Sequence, residues 1–236
     1  MNGMLELERV EAGYAGSRVL FGVSLRVGPG EVVTLMGRNG MGKTTTVRAI
    51  IGFLKPTAGS IAFEGRPLIG LPPFRIAQAG IGLVPEGRRI FPTLTVRENL
   101  IATSATREGS TPQWTLPEVY RLFPRLAERR GHFGSQLSGG EQQMLATGRA
   151  LMTNPKLIIL DEATEGLAPL IRAEIWACLE RLKRQGLSIL VIDKDADALT
   201  RIADRHYILE KGEVAWSGDT DAFRADPDLR DRYLHV

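Results

Sequence analysis

A single cysteine, Cys178, is the whole thiol content of the 236 residues, so no disulfide can close within the chain. That scarcity fits a reducing compartment. Cys178 lies in the helical pattern IRAEIWACLERLKRQ, where packing rather than chemistry is the expected role. Long apolar runs are also missing: nothing approaches the ~18 residues that mark a membrane span. The start, MNGMLELERV, lacks the basic-then-apolar order of a signal peptide, so any membrane role is expected to run through a partner. Charge of one sign is missing too. The net charge is +3, with Lys and Arg scattered among acids, which gives no basic stripe and no expectation of a nucleic-acid partner. The chain shows no internal repeat and no low-complexity tract.

What is present is ordinary for a folded domain. Hydrophobic residues make up 43% and charged residues 24%, enough apolar side chain to bury a core and too little charge for disorder. The length fits one large α/β domain, or such a domain with a sub-lobe.

The most informative stretch is GRNGMGKT, which matches the phosphate-binding pattern G-x-x-x-x-G-K-[ST] at every fixed position. Its residues are Gly37, Arg38, Asn39, Gly40, Met41, Gly42, Lys43 and Thr44. Before it, EVVTLM reads as a buried strand; after it, KTTTVRAIIGFL has helical apolar spacing. The glycines let the backbone approach phosphates, and N–H groups at a helix start then point at the anion. Lys43 is expected to reach the β- and γ-phosphates and Thr44 to ligate Mg²⁺, with Thr45 beside them.

Leu5, Leu7 and Val10 begin a strand, and RVLFGVSLRV is its hairpin partner or neighbour. Between them Gly13-Tyr14 sits at a glycine-flanked turn, where an aromatic face offers a base-stacking platform or only packing. SIAFEG reads as a further strand. IGLV is another, broken at Pro85, which leaves Glu86 at the strand's carboxyl end, where α/β proteins present ligand groups. From Ile101 to Phe133 the character changes to polar connections around LPEVYRLFPRLAERR, read as an inserted helical lobe; its arginines 121, 125, 129 and 130 are expected to be a solvated face.

LSGGEQQ opens the next helix, with Ser138 as cap and Gly139 and Gly140 exposing backbone donors. LIILDE is an apolar strand ending in Asp161 and Glu162. Lying parallel to the strand before the phosphate loop, it would place Asp161 near the metal and Glu162 where it orients the attacking water. EATEGLAP then leads into a helix from Leu170 to Arg184, SILVID is a further strand, and Lys194 follows it. HYILEKGEVAWSG reads as a hairpin, with a short helix beyond Asp219.

This ordered set, GRNGMGKT, LSGGEQQ, LIILDE with EATEGLAP and a strand ending near 194, resembles the ATP-binding-cassette ATPases over essentially the whole chain. The resemblance implies a P-loop core with a mixed sheet, an N-terminal antiparallel β subdomain and an inserted helical subdomain. It puts the core near 1–96 and 141–236 and the helical part near 97–140. It implies hydrolysis of ATP with Mg²⁺ in a head-to-tail dimer, homo- or heteromeric. Tyr14 would stack on adenine, Ser138, Gly139, Gly140 and Glu141 would cover the partner's nucleotide, Asp161 would serve the metal, and Glu162 would act as base. Glu165 to Leu167 would lie in a loop crossing the dimer interface.

Within that family, VPEGRRIFPTLTVRENL, LSGGEQQMLATGRALM and EGLAP are most similar to ATPase subunits of branched-chain amino-acid importers. These work at the inner face of the plasma membrane with permease subunits and an external binding protein. Importers for urea or short amides share much of the pattern. A soluble cassette acting on DNA or ribosomes and a regulatory module of little turnover stay open as other classes. Two positions depart from the wider family. Glu86 stands where glutamine is usual and serves the metal and nucleotide; Lys194 stands where histidine is usual and is expected to meet the γ-phosphate. Their formal charge changes cancel, which predicts an electrostatically compensated pair.

Overall fold

The protein is described here by a computed structural model covering residues 3–106 and 111–234. Residues 107–110, inside the connection assigned to the helical lobe, lie outside the described residues. The chain opens on two antiparallel strands, β1 (Leu5–Tyr14) and β2 (Ser17–Val27). Ala15 and Gly16 turn between them with φ of 44° and 84°. Two consecutive positive-φ residues give the turn whose twist suits a tight hairpin. Tyr14 is therefore not in the turn, as its glycine neighbours led us to expect. It is the last residue of β1, paired with Ser17. With β4 (Ala58–Phe63) and β5 (Arg66–Pro67) these strands form an antiparallel sheet ordered β2-β1-β4-β5.

The second sheet is mixed. It comprises β3 (Val32–Met36), β6 (Ile81–Val84), β7 (Leu157–Asp161), β8 (Ser188–Ile192), β9 (Arg205–Glu210) and β10 (Glu213–Asp219), in the order β10-β9-β3-β8-β7-β6. All neighbours pair in parallel except β9 and β10. Every residue of β3, β7 and β8 is buried, so these strands read as unbroken apolar runs. The pleat still sorts them by alternation. Val32, Ile158, Leu160, Ile189 and Val191 join a core shared with the long helices α6 (Gly139–Met152) and α7 (Pro169–Arg184). Val33, Leu35, Ile159, Leu190 and Ile192 join a second core with the antiparallel sheet and α1 (Lys43–Ile50). The sheet is thus covered on both faces, the arrangement a parallel sheet needs.

The fold class is the one expected. Several elements differ from the expectation. The stretch LPEVYRLFPRLAERR is two short helices, α4 (Leu116–Leu122) and α5 (Pro124–Glu128), because Pro124 pushes Phe123 out of helical conformation. Ahead of them lies α3 (Val96–Ala102), with a capping box in which Thr95 and Glu98 satisfy each other's backbone N–H. The pattern T-x-x-E was available for reading there. Also absent from the expectation are α2 (Pro73–Ala79) and α8 (Ala196–Ile202), the latter capped by Asp195. The chain closes with α9 (Thr220–Ala225) and α10 (Asp228–Tyr233). Cys178 is buried in the α7 core and its thiol is pushed up to about 12 by burial, a packing residue as expected. Three of the lobe arginines are paired: Arg121 with Glu118, Arg125 with Glu174, and Arg129 with Glu141.

One buried polar link ties β3, β9 and α9 together. The His206 side chain is wholly buried, with Nδ1 2.8 Å from Thr34 Oγ1 and Nε2 2.9 Å from Thr220 Oγ1. Thr220 donates its own proton to the Ala203 carbonyl, so it accepts from Nε2–H, and Nδ1 accepts from Thr34. Burial, then the Arg224 charge, pushes His206 down to about 4, against the opposing pull of Asp204 and Asp219. The folded chain thus keeps this ring neutral where the unfolded chain, with an ordinary value near 6.5, takes up a proton. Its contribution is complete above pH ~6.5 and is lost as pH falls toward 4, amounting to on the order of 3 kcal/mol by linkage. Denaturant melts at pH 7 and pH 4.5 should show this loss in the wild type and a clearly smaller one in His206→Gln.

Candidate functional site

The carboxyl ends of β3, β6, β7 and β8 open on one edge of the sheet, and the phosphate loop, Glu86, Asp161, Glu162 and Lys194 gather there. After β3 the phosphate loop bends through Gly37, whose φ is 137°. A Cβ at Gly37 would stand 2.4 Å from the Leu209 carbonyl oxygen on β9, so only glycine lets the loop pass. Gly42, at φ 104°, heads α1, and a Cβ there would come within 2.7 Å of Leu20. Gly40 has a φ of 79° with open space around it. Met41 ties the loop to the β9–β10 hairpin: its carbonyl accepts from Gly212 N and its sulfur from Lys211 N.

Lys43 is the charge at the centre. Its ammonium is buried and donates to the Gly37 and Arg38 carbonyls at 2.8 and 2.9 Å. Burial holds its proton less tightly than usual, partly offset by the negative field of Glu162. Thr44 and Thr45 follow Lys43 in the first turn of α1, and Thr44 is one of the groups that act on the Asp161 carboxyl. Asp161 ends β7 and is buried; its Oδ1 has no hydrogen-bond partner. Burial first, and repulsion from Glu86 second, push its carboxyl up to about 6. β7 is parallel to β3 as expected, with β8 lying between them. Glu86 is exposed just beyond β6, where its charge acts on Asp161.

Glu162 occupies a left-handed conformation, φ 53°, held by a 2.9 Å hydrogen bond from its N–H to the Ile192 carbonyl. A non-glycine residue so placed stores backbone strain of the kind that clusters at functional sites. Its carboxyl hydrogen-bonds Glu165, and that bond, together with burial and the Glu165 charge, pushes it up to about 7. Lys194 donates to Glu165 at 2.5 Å. Lys194 thus pairs with Glu165, while the Glu86 charge acts on Asp161.

Two groups stand apart from this edge. Tyr14 is 39% exposed and accepts a 3.2 Å hydrogen bond from Arg48, five residues along α1 from Lys43. Ser138 caps α6 in a box with Glu141: Ser138 N–H donates to the Glu141 carboxylate at 2.8 Å, and Glu141 N–H to Ser138 Oγ at 3.3 Å. Glu141 thus spends its carboxylate on the helix start. A Cβ on Gly139 would meet the Arg88 guanidinium at 2.9 Å, and one on Gly140 would meet Ile171 at 2.6 Å. Among the described residues no hydrogen bond joins Ser138–Glu141 to the phosphate loop.

Sequence reading missed the clamp between the β7 and β8 loops. Asp193, 7% exposed, accepts from Thr164 N–H and Oγ1 at 3.0 and 2.7 Å and from the N–H groups of Lys194 and Asp195 at 2.8 and 3.1 Å. Also unexpected is a groove of about 650 Å³ that runs from Thr44, Glu86 and Asp161 out to Phe53, Phe74 and Arg149. Arg88 and Arg89 line it in consecutive left-handed conformations, φ 66° and 48°. Arg149 fastens them to α6, donating to the Arg89 carbonyl at 2.6 Å and lying 4.1 Å over the Phe91 ring.

A phosphate loop, an acid with a bare buried oxygen and a strained glutamate on one edge are the parts of a nucleotide hydrolase. The ABC transporter family model matches residues 20–165 of the chain. The chain is a member of the ABC transporter ATPase family. The high-affinity branched-chain amino acid transport ATP-binding protein BraG of Pseudomonas aeruginosa is 42% identical over 98% of this chain and 99% of its own length. The lipopolysaccharide export system ATP-binding protein LptB of Haemophilus influenzae is 34% identical over 98% of this chain and 97% of its own. A solved ATP-binding subunit of an ABC transporter superposes with a TM-score of 0.83 at 31% identity, covering 98% of this chain and 96% of that one. As an ABC ATPase the chain binds and hydrolyses ATP, and ATPases of this family work as dimers with transmembrane permeases. No helix among the described residues is long and apolar enough to cross a membrane.

The glycine geometry separates two substitutions in one loop. Gly37→Ala sets a Cβ against backbone and should cost at least ~2 kcal/mol, whereas Gly40→Ala meets only positive-φ strain of about 1 kcal/mol. Thermal melts of the two variants beside the wild type check the order.

Proposed function

We propose that this ABC ATPase powers an importer of branched-chain amino acids, docked on permeases at the inner face of the membrane and served by an external binding protein. The supporting observation is the 42% identity to BraG along nearly all of both chains, against 34% to the export ATPase LptB. Urea and short-amide importers are the nearest alternatives for the solute.

The site's chemistry supports a phosphoryl transfer to water driven by positioning and charge. Gly37, Arg38, Asn39, Gly40, Met41 and Gly42 wrap the phosphates, with Thr45 at the same helix start. Lys43 exchanges its two carbonyl partners for β- and γ-phosphate oxygens. Glu162, next to the metal acid, is the base that orients the water, and Lys194 offers its ammonium to the γ-phosphate. Tyr14 is the adenine platform. The metal site fits Mg²⁺ by its donors: Asp161 Oδ1 is buried and unpartnered, Thr44 lies beside it, and Glu86 acts on it from the loop just beyond β6. No group of three His, Cys, Asp or Glu among the described residues forms a protein-only cage, as expected for an ion held by one or two carboxylates and the substrate's phosphates. When bound, Mg²⁺ would neutralise charge developing on the triphosphate.

The helix start at Ser138–Glu141 has no hydrogen bond to this loop among the described residues, and a role toward a partner's nucleotide in a head-to-tail dimer is the reading it supports. We place the ATPase core at about 1–96 and 141–236 and a helical lever at about 97–140, supported by the packing of α3, α4 and α5 on α6. The groove with its exposed Phe53 and Phe74 is the permease-facing surface, and Arg149 makes the Glu86 loop and α6 move together.

Two experiments test this. Mg²⁺-ATP hydrolysis should be lost by at least about a hundredfold in Glu162→Gln, with an ATP-trapped dimer visible by light scattering, and reduced about tenfold or more in Lys194→Ala. Undiminished turnover in Glu162→Gln would remove the base assignment. In proteoliposomes carrying the co-purified permeases and binding protein, leucine, isoleucine or valine should stimulate hydrolysis; stimulation only by urea or short amides would overturn the solute.

A further inference from the structure

The loop that follows β7 holds a carboxylate, Glu165, to which the hydrolytic chemistry above gives no step. β7 and β8 end side by side, with Asp161 opposite Ile192. Immediately beyond, the Asp193 carboxylate gathers four donors, two from Thr164 and the N–H groups of Lys194 and Asp195. One buried anion therefore fixes the backbone of both loops against each other, and side-chain freedom remains only past the clamp. Glu165 lies one residue beyond the clamp on the first loop, and Lys194 stands at it on the second. They meet as an ion pair at 2.5 Å across a cleft of about 360 Å³, whose rim includes Glu162 and Arg172. The Glu165 carboxyl also hydrogen-bonds Glu162. A single side chain thus engages both the base and the ammonium assigned to the γ-phosphate.

We propose that Glu165 is a positioning residue, the resting partner of Lys194, which it holds beside Glu162 until the γ-phosphate of ATP takes the ammonium from it. This rests on the reading above that Lys194 meets the γ-phosphate. Both side chains are about half exposed, so the pair is weak enough to be exchanged. A γ-phosphate carries more charge and more acceptor oxygens than one carboxylate and displaces it. ADP has nothing to put in that place, so Lys194 stays with Glu165. The contest with Glu165 then tempers the advantage of ATP over ADP and returns Lys194 to its resting place once phosphate has left.

Equilibrium binding separates this from an inert surface pair. The probes are the non-hydrolysable imido analogue of ATP and ADP, both with Mg²⁺, titrated against the full chain by calorimetry. Glu165→Gln removes the competitor's charge and should tighten the ATP analogue about two- to fivefold with ADP unchanged, the range of an exposed ion pair. Lys194→Met should weaken the analogue selectively, and Glu165→Gln added to it should bring no further tightening. Glu165→Asp, which keeps the carboxylate, should stay near the wild-type ratio. If Glu165→Gln leaves the ratio unchanged while Lys194→Met lowers it, the positioning role is overturned and the Lys194 contact survives. If Lys194→Met leaves the ratio unchanged, the contact and the positioning role fall together.

Discussion

The parallel register of β3, β8, β7 and β6 is the constraint on which everything else in this molecule depends. Parallel pairing puts every carboxyl end on the same edge, so the loops that follow these strands must open into one space. Asp161 ends one of these strands, and the start of the phosphate loop, Glu162, Asp193 with Lys194, and Glu86 lie within two residues of the ends of the four. Their meeting is a consequence of strand direction. The sheet tolerates this because helices and the antiparallel sheet bury both of its faces, and alternate residues of β3, β7 and β8 anchor two separate cores.

At that edge the structure trades backbone comfort for position. Gly37 passes β9 at a distance no side chain allows, Glu162 is left-handed, and Arg88 and Arg89 are left-handed in succession. Each of the left-handed residues that is not glycine costs of order 1 kcal/mol or more and survives because the surroundings over-determine it. The surroundings here are identifiable: the Ile192 carbonyl for Glu162, Arg149 for Arg89, and Gln142, 3.4 Å from Arg88, for the guanidinium beside the α6 start. Electrostatics follow the same economy. Lys43 is buried with only carbonyl partners, Asp161 is buried with a bare oxygen, and Glu162 leans on a second carboxylate. In all three the surroundings make the charged form costlier than water does: Lys43 is pushed below its ordinary range and Asp161 and Glu162 above theirs.

Much of this is legible in the sequence alone. The phosphate loop announces itself because its glycines and its lysine act locally, within eight residues and between a strand and a helix. LSGGEQQ announces a capped helix for the same reason, and the capping box at Ser138 and Glu141 is as the spacing implies. The buried strands are readable as apolar runs because a sheet covered on both faces requires them. Weaker local signals were overlooked or misplaced: the T-x-x-E start of α3, and the Ala15–Gly16 turn that leaves Tyr14 in a strand.

The sequence by itself determined the fold class, the nucleotide chemistry and the family, because each is written in short motifs whose meaning depends on near neighbours. Only the tertiary structure decided who partners whom across the edge. That Lys194 is held by Glu165, that Asp193 clamps Thr164, and that Arg149 fastens the Glu86 loop to α6 are contacts over 29 to 60 residues of chain. Charged side chains carry no periodicity that names a distant partner. Their pairing is settled only when strand order and register bring two loops within hydrogen-bonding reach.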